Sequence, residues 1–259
     1  MIYFKYLRMQ IHSIAVHRST FWMMMIGNAS SCLLGFACMA IMFDRFHTAA
    51  GWTFPEAAMC YAVVFMAFSI TECVARGFDQ FSRLVSSGDF DRLLIRPRGL
   101  VLQVLGSTFE LSRVGRFAVS FAILSYAARG LGIVWTAWKV AVLAMMVLSG
   151  ISIFFGIFLI GAAFCFVTVE GLEVVNVFTD GGREIASYPL PIYGRTALRF
   201  FTFIVPYGCF NYLPLMYLTG RVSGNTALYA LSPLIGMLFM VPCAFVWKLG
   251  IKRYLSTGN

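Results

Sequence analysis

The chain has 259 residues, is 60% hydrophobic and only 12% charged, and carries a formal charge of +9. One soluble domain of this size cannot hide so much apolar surface, which excludes an ordinary soluble enzyme. The basicity is then a question of where the charge lies, and nucleic acid is not needed to explain it.

Residues 1–20, MIYFKYLRMQIHSIAVHRST, mix Ile2, Tyr6, Met9, Ile14 and Val16 with Lys5, Arg8, His12, His17 and Arg18. That pattern predicts a helix lying on the cytoplasmic face with its basic groups toward anionic lipid. Six apolar stretches follow, at 21–43, 57–75, 114–128, 140–169, 200–218 and 227–247. About 20 apolar residues cross the hydrocarbon core of a bilayer. The expected fold is therefore an all-α polytopic membrane protein with six transmembrane helices. With the N-terminus inside, every Lys and Arg except Arg45, Arg129, Lys139 and Arg221 falls on the inner side, which sets the orientation. Trp22 and Trp247 fall at inner interfaces, and Trp52, Trp135 and Trp138 in or beside outer loops, where indole is at home.

The first stretch places Gly27, Ser31 and Gly35 four residues apart, a stripe of small side chains that admits a close neighbour. The second ends at Thr71-Glu72-Cys73, and Glu72 must find water, a cavity or a basic neighbour such as Arg76. Residues 76–113 then form a long inner loop. Phe78, Phe81, Leu84 and Val85 recur as on an amphipathic helix. After a Ser-Ser-Gly break comes a short helix from Asp89 to Ile95, stopped by Arg96-Pro97. Asp89 near its start and Arg92 and Arg96 toward its end suit the helix dipole. Leu100 to Arg113 is expected to run along the membrane.

The fourth stretch would measure roughly 45 Å as a helix, so it tilts or extends into the cytoplasm. Ser152 and Gly156 offer it a small-residue face. Residues 170–199 carry Glu170, Glu173, Asp180, Arg183 and Glu184, then Tyr188-Pro-Leu-Pro-Ile-Tyr193. They read as a second cytoplasmic segment leading to the fifth element. Pro206 and Pro214 predict a bent or short fifth helix, with a small outer motif at 212–224. The last stretch contains Pro233 and Pro242.

Catalytic sets are missing. His12, His17 and His47 all lie outside the stretches, no aspartate sits in mid-span, and no G-x-x-x-x-G-K-[ST] occurs. Seven cysteines fall in or beside apolar stretches without a CxxC, so neither a metal site nor a disulfide framework is expected. The pairs Asp89/Asp91 and Glu170/Glu173 read as structural or docking charges, not acid/base couples. Asn28, Ser30, Ser31, Tyr207 and Asn211 are the polar residues placed to line a cavity.

The segment Gly88-Asp89-Phe90-Asp91-Arg92-Leu93-Leu94-Ile95-Arg96-Pro97 resembles the "G-x-(acidic/polar)-x-x-L-L-x-(basic)-P" stretch of type-two permeases of ABC transporters. The chain resembles in particular a bacterial branch long catalogued as a domain of unknown function. Tyr188 to Tyr193, Phe200 to Pro206, Tyr212 to Pro214 and Gly250 to Tyr254 match it in order. The resemblance implies one permease domain over 1–259 with a cytoplasmic coupling elbow. It implies two copies of a separate ATP-binding subunit, which hold ATP and magnesium, and a second permease, identical or related. This chain would bind no cofactor itself and would sit among lipids of the bacterial cytoplasmic membrane, both termini inside, working in export. Asp89, Asp91, Arg92 and Arg96 would make polar contacts to the ATPase, and Leu93 and Leu94 would anchor the segment between Gly88 and Pro97. A lipid-modifying membrane enzyme and an uncoupled channel or scaffold remain as alternatives, separated by whether the isolated chain acts alone.

Overall fold

The computed structural model describes residues 18–168, 175–222 and 224–254. The expected interfacial helix at 1–20 lies outside them, except that Arg18 to Thr20 open the first helix, and so do Glu170 and Glu173. Among the described residues twelve α-helices follow one another: α1 (Arg18–Phe46), α2 (Phe54–Asp79), α3 (Phe81–Ser86), α4 (Asp89–Leu94), α5 (Leu100–Ser107), α6 (Val114–Gly130), α7 (Ala137–Phe164), α8 (Gly182–Ala186), α9 (Gly194–Phe203), α10 (Leu213–Leu218), α11 (Thr226–Leu238) and α12 (Met240–Lys252). Among the described residues four stretches are long and apolar enough to cross a membrane: α1, α2 continued by α3, α7, and α11 continued by α12. The chain is thus a multi-pass helical membrane protein. The third expected span is α6, whose 17 residues cover roughly 26 Å.

The bundle is built around α2, in which every residue from Glu56 to Ser69 is buried. Its start is firmly capped. Pro55 opens the helix, and Glu56 reaches back to accept from the Thr53 N–H and hydroxyl, both at 2.8 Å. Helices α6 and α7 pack against α2, α1 leans on α6, and α11 and α12 cover α7. At the start of α2 Arg221 joins Glu56 (2.7 Å) and lies 4.6 Å over the Trp52 ring. Trp52 is therefore a buried seat for a cation, and Trp22 and Trp138 are the exposed tryptophans.

Two expectations change in the middle of the chain. Leu100 to Arg113, expected to run along the membrane, packs against the bundle. Helix α5 turns back beside the inner end of α2, where the Glu110 N–H donates to the Cys73 carbonyl (3.2 Å). The two backbones meet at Gly77, where any side chain would strike the Val104 carbonyl. The other change concerns residues 170–199, expected as a second cytoplasmic segment leading to the fifth element. From Val175 onward they pack into the bundle. The Arg183 guanidinium lies 5.2 Å and 4.9 Å from the ring centres of Phe65 and Phe68, in the most buried part of α2.

The chain then bends twice. A turn of 3-10 helix (Leu190–Tyr193) leads to α9, residues 204–206 reverse the direction, and a π-helical turn (Gly208–Tyr212) runs into α10. The Tyr207 hydroxyl donates to the Phe178 carbonyl, and Asn211 Nδ2 donates to the carbonyls of Ala186 (2.7 Å) and Cys60 (3.4 Å). Residues 178–186 and 207–211 thus run side by side in the same direction, and α9 makes the return between them. The stretch 200–218, expected as a bent or short fifth helix, is divided in this way between the end of α9 and α10.

Replacing Gly77 by Val is expected to cost about 1–3 kcal/mol through overpacking against Val104. A lower melting midpoint in detergent checks this. Gly27→Val, at a position where an added Cβ meets nothing, should leave the midpoint unchanged.

Candidate functional site

The elbow between α2 and α6 is an ordered mount. Gly88 precedes α4 with φ +70°, a backbone that a side chain disfavours, and this lets the chain turn sharply after α3. The helix ends at Leu94, before Arg96-Pro97. Phe90 points inward and is fully buried, with Phe81, Phe166 and Tyr254 at ring distances of 5.1, 5.3 and 4.9 Å. Phe81 continues the cluster to Trp247 (5.3 Å), and Trp247 to Phe78 (5.2 Å). Trp247, expected at the membrane surface, is 3% exposed in this cluster. The seat therefore joins α2, α3, α4, the end of α7 and α12. Edge-to-face ring pairs dominate it, each worth ~0.5–1.5 kcal/mol beyond burial.

Hydrogen bonds fix the rest of the elbow. The Tyr254 hydroxyl donates to Asp91 (2.9 Å), and burial together with that bond pushes its phenol up to about 12, so it remains a donor at neutral pH. Gln103 Nε2 donates to the carbonyls of Leu93 (3.1 Å) and Arg98 (3.0 Å). Asp89 takes the Ser87 hydroxyl and pairs with Arg92 at 3.3 Å, an exposed contact of little energy. Of the residues expected to dock, Asp91 is thus held by the C-terminal tyrosine and Leu93 is half-buried. Arg92, Leu94, Arg96 and Pro97 are exposed, joined by Ile95 at 82%. Sequence reasoning missed Phe90 as the anchor and Ile95 as the tip. The signal was there in Phe90, the single aromatic side chain among the charges of α4.

Below the elbow's return lies a buried ion network. Glu72, with 6% of its side chain exposed, pairs with Arg116, with Arg113 (3.3 Å) and with Arg76 (3.5 Å). Arg76 also reaches Asp79 and Glu110 (2.9 Å), and Arg113 reaches Glu110 (3.2 Å). Three guanidinium groups thus balance three carboxylates. Arg76 was the expected partner of Glu72. Arg116, two residues into α6, was not foreseen. Asn28, expected in a cavity, belongs to this network: its Oδ1 accepts from Arg113 (2.8 Å) and Arg116 (3.4 Å), and its Nδ2 donates to Ser112 (3.4 Å). It fastens α1 to the start of α6.

The remaining expected residues fall apart spatially. Tyr207 and Asn211 are buried brackets inside the fifth element and do not line an open cavity. Gly35 lies against the Tyr61 hydroxyl and Gly156 against Cys243, both close helix approaches, whereas Gly27 and Ser31 are exposed. Among the described residues no group of His, Cys, Asp and Glu is placed to hold a metal, and Cys38 is the exposed cysteine.

Long apolar helices locked together at one end, carrying a short exposed helix on an aromatic seat, make this a multi-pass helical membrane protein. The chain belongs to a known family: the family described as "ABC-2 family transporter protein" matches residues 12–258. Members of that family generally work with ATP-binding subunits. Comparison with curated proteins and with solved structures gave no match.

Breaking the network by Arg116→Ala is expected to cost ~3–5 kcal/mol, because it strands a buried carboxylate. The double variant Glu72→Met with Arg116→Leu should recover most of that loss. Melting midpoints in detergent decide both.

Proposed function

We propose that this chain is the permease subunit of an ATP-driven exporter of the bacterial cytoplasmic membrane. Two copies of a separate ATP-binding subunit supply the work, holding ATP and magnesium, and a second permease completes the pair. The whole of 1–259 acts as one permease domain. The observation that carries the reading is the elbow: Arg92, Leu94, Ile95, Arg96 and Pro97 stand exposed on a helix whose other face is seated in the bundle. A surface both exposed and rigidly mounted suits the transfer of force from another protein. Closure of the ATPase pair presses on α4. Phe90 passes the displacement to the ends of α7 and α12, and the ion network passes it to α6 and α1.

Six crossings follow from α1, α2, α6, α7, the limb from 175 to 186, and α11 with α12. On this reading α9 and α10 form a re-entrant pair on the outer side. Arg195 and Arg199 move outward with α9, and Arg183 sits at mid-depth. The inner excess of basic residues persists in Arg76, Arg83, Arg92, Arg96, Arg98, Arg113, Arg116, Lys248, Lys252 and Arg253, keeping both termini inside.

The elbow reading makes a directional claim. Ile95→Glu should lower recovery of the ATP-binding subunit in pull-downs by roughly tenfold or more, as for a central interface anchor. The permease itself should melt at an unchanged temperature, since Ile95 touches little of the bundle. Arg92→Glu should uncouple ATP hydrolysis from transport, and coupled turnover at the wild-type rate would refute this assignment.

A further inference from the structure

We infer that the face carrying Val177, Asp180 and Glu184 borders a water-filled path at mid-depth of the membrane. The inference rests on the permease reading and gives its cargo route a position. The three residues share one side of the limb from 175 to 186, and Val177 is 65% exposed. The Asp180 and Glu184 side chains are 60% and 59% exposed, while Arg183, which pairs with both at 2.9 and 2.8 Å, has 15% of its side chain exposed. Their depth follows from α2. Arg183 stands over Phe65 and Phe68, and these lie roughly 16–21 Å from either end of that helix at 1.5 Å per residue. On the reading that α2 spans the bilayer, that lies within the hydrocarbon core.

Two open carboxylates at that depth cannot face acyl chains, since charged groups inside a membrane turn to partners or to water-filled cavities. Helices that do face lipid look different. At comparable positions α6 and α7 expose Phe121 (54%) and Leu148 (55%). The limb is also wound as a π-turn at Val177–Gly181, a local geometry that recurs where helices serve function. Charge further reaches this face from the inner end. Arg116 of the buried network lies 5.8 Å from the centre of the Phe68 ring, over which Arg183 also lies at 4.9 Å. The polar groups of the bundle therefore form a line from the elbow's return to mid-depth, broken by one aromatic ring.

The test is thiol labelling of the full chain in membranes, with native cysteines replaced and single cysteines introduced as Asp180→Cys, Glu184→Cys or Val177→Cys. Val177→Cys leaves all three charges in place, so it serves if the other variants do not fold. A charged, membrane-impermeant methanethiosulfonate is expected to modify these positions on the order of a hundredfold faster than Phe121→Cys or Leu148→Cys, the advantage of water over hydrocarbon for a charged reagent. Labelling as slow as at Phe121→Cys, with and without ATP, overturns the inference. So does oxidative cross-linking of Glu184→Cys between two copies without labelling, which would make the face a sealed contact. Labelling needs no ATPase. Fast labelling in a chain that never recovers an ATP-binding subunit would keep the water path and sink the exporter reading.

Discussion

Glu72 sets the constraint on which the inner half of the molecule is built. It follows the long apolar run from Ala57 to Ile70 in α2 and has almost no water contact, so its charge has to be met by protein. Three arginines from two directions converge on it, and Asn28 of α1 completes their coordination. The folding-back of α5, the short turn at Leu111–Arg113 and the approach of α1 to α6 all serve that convergence. A buried, balanced set of charges has few acceptable geometries, whereas apolar helices slide past one another at small cost. The network therefore fixes register where the apolar faces do not.

The elbow and this network form one mechanical unit. The elbow is seated by aromatic rings on α7 and α12, and its return limb enters the ion network through Glu110 and Arg113. A push on α4 therefore reaches the bundle by two routes, one apolar and one ionic. Together they touch α1, α2, α6, α7 and α12.

Local signals in the sequence were legible. The amphipathic rhythm of Phe78, Phe81 and Val85, the break at Gly88 and the stop at Arg96-Pro97 place α3 and α4 within a residue or two, because each depends on neighbours in sequence. The membrane class was legible for the same reason, since hydropathy is local. Pairings across the bundle were not. Arg183 with Asp180 and Glu184 reads as a solvated cluster until the rings of Phe65 and Phe68 are known to lie beneath it. That hid the true place of residues 175–186. Tyr207 and Asn211 looked like cavity residues because they are polar in an apolar stretch, yet each satisfies a backbone carbonyl more than 20 positions away. Trp247 looked like an interfacial anchor because indole prefers that level. Its role was decided by Phe78 and Phe81, residues remote from it in sequence.

The bond between Tyr254 and Asp91 joins positions 163 apart. The elbow is thus synthesised well before two of the rings that seat it. Until Trp247 and Tyr254 have emerged, Phe81 and Phe90 lack those ring partners. A nascent chain stopped before Trp247 would leave α4 held by Phe166 without them. The final seating of the short helix therefore waits on residues made long after it.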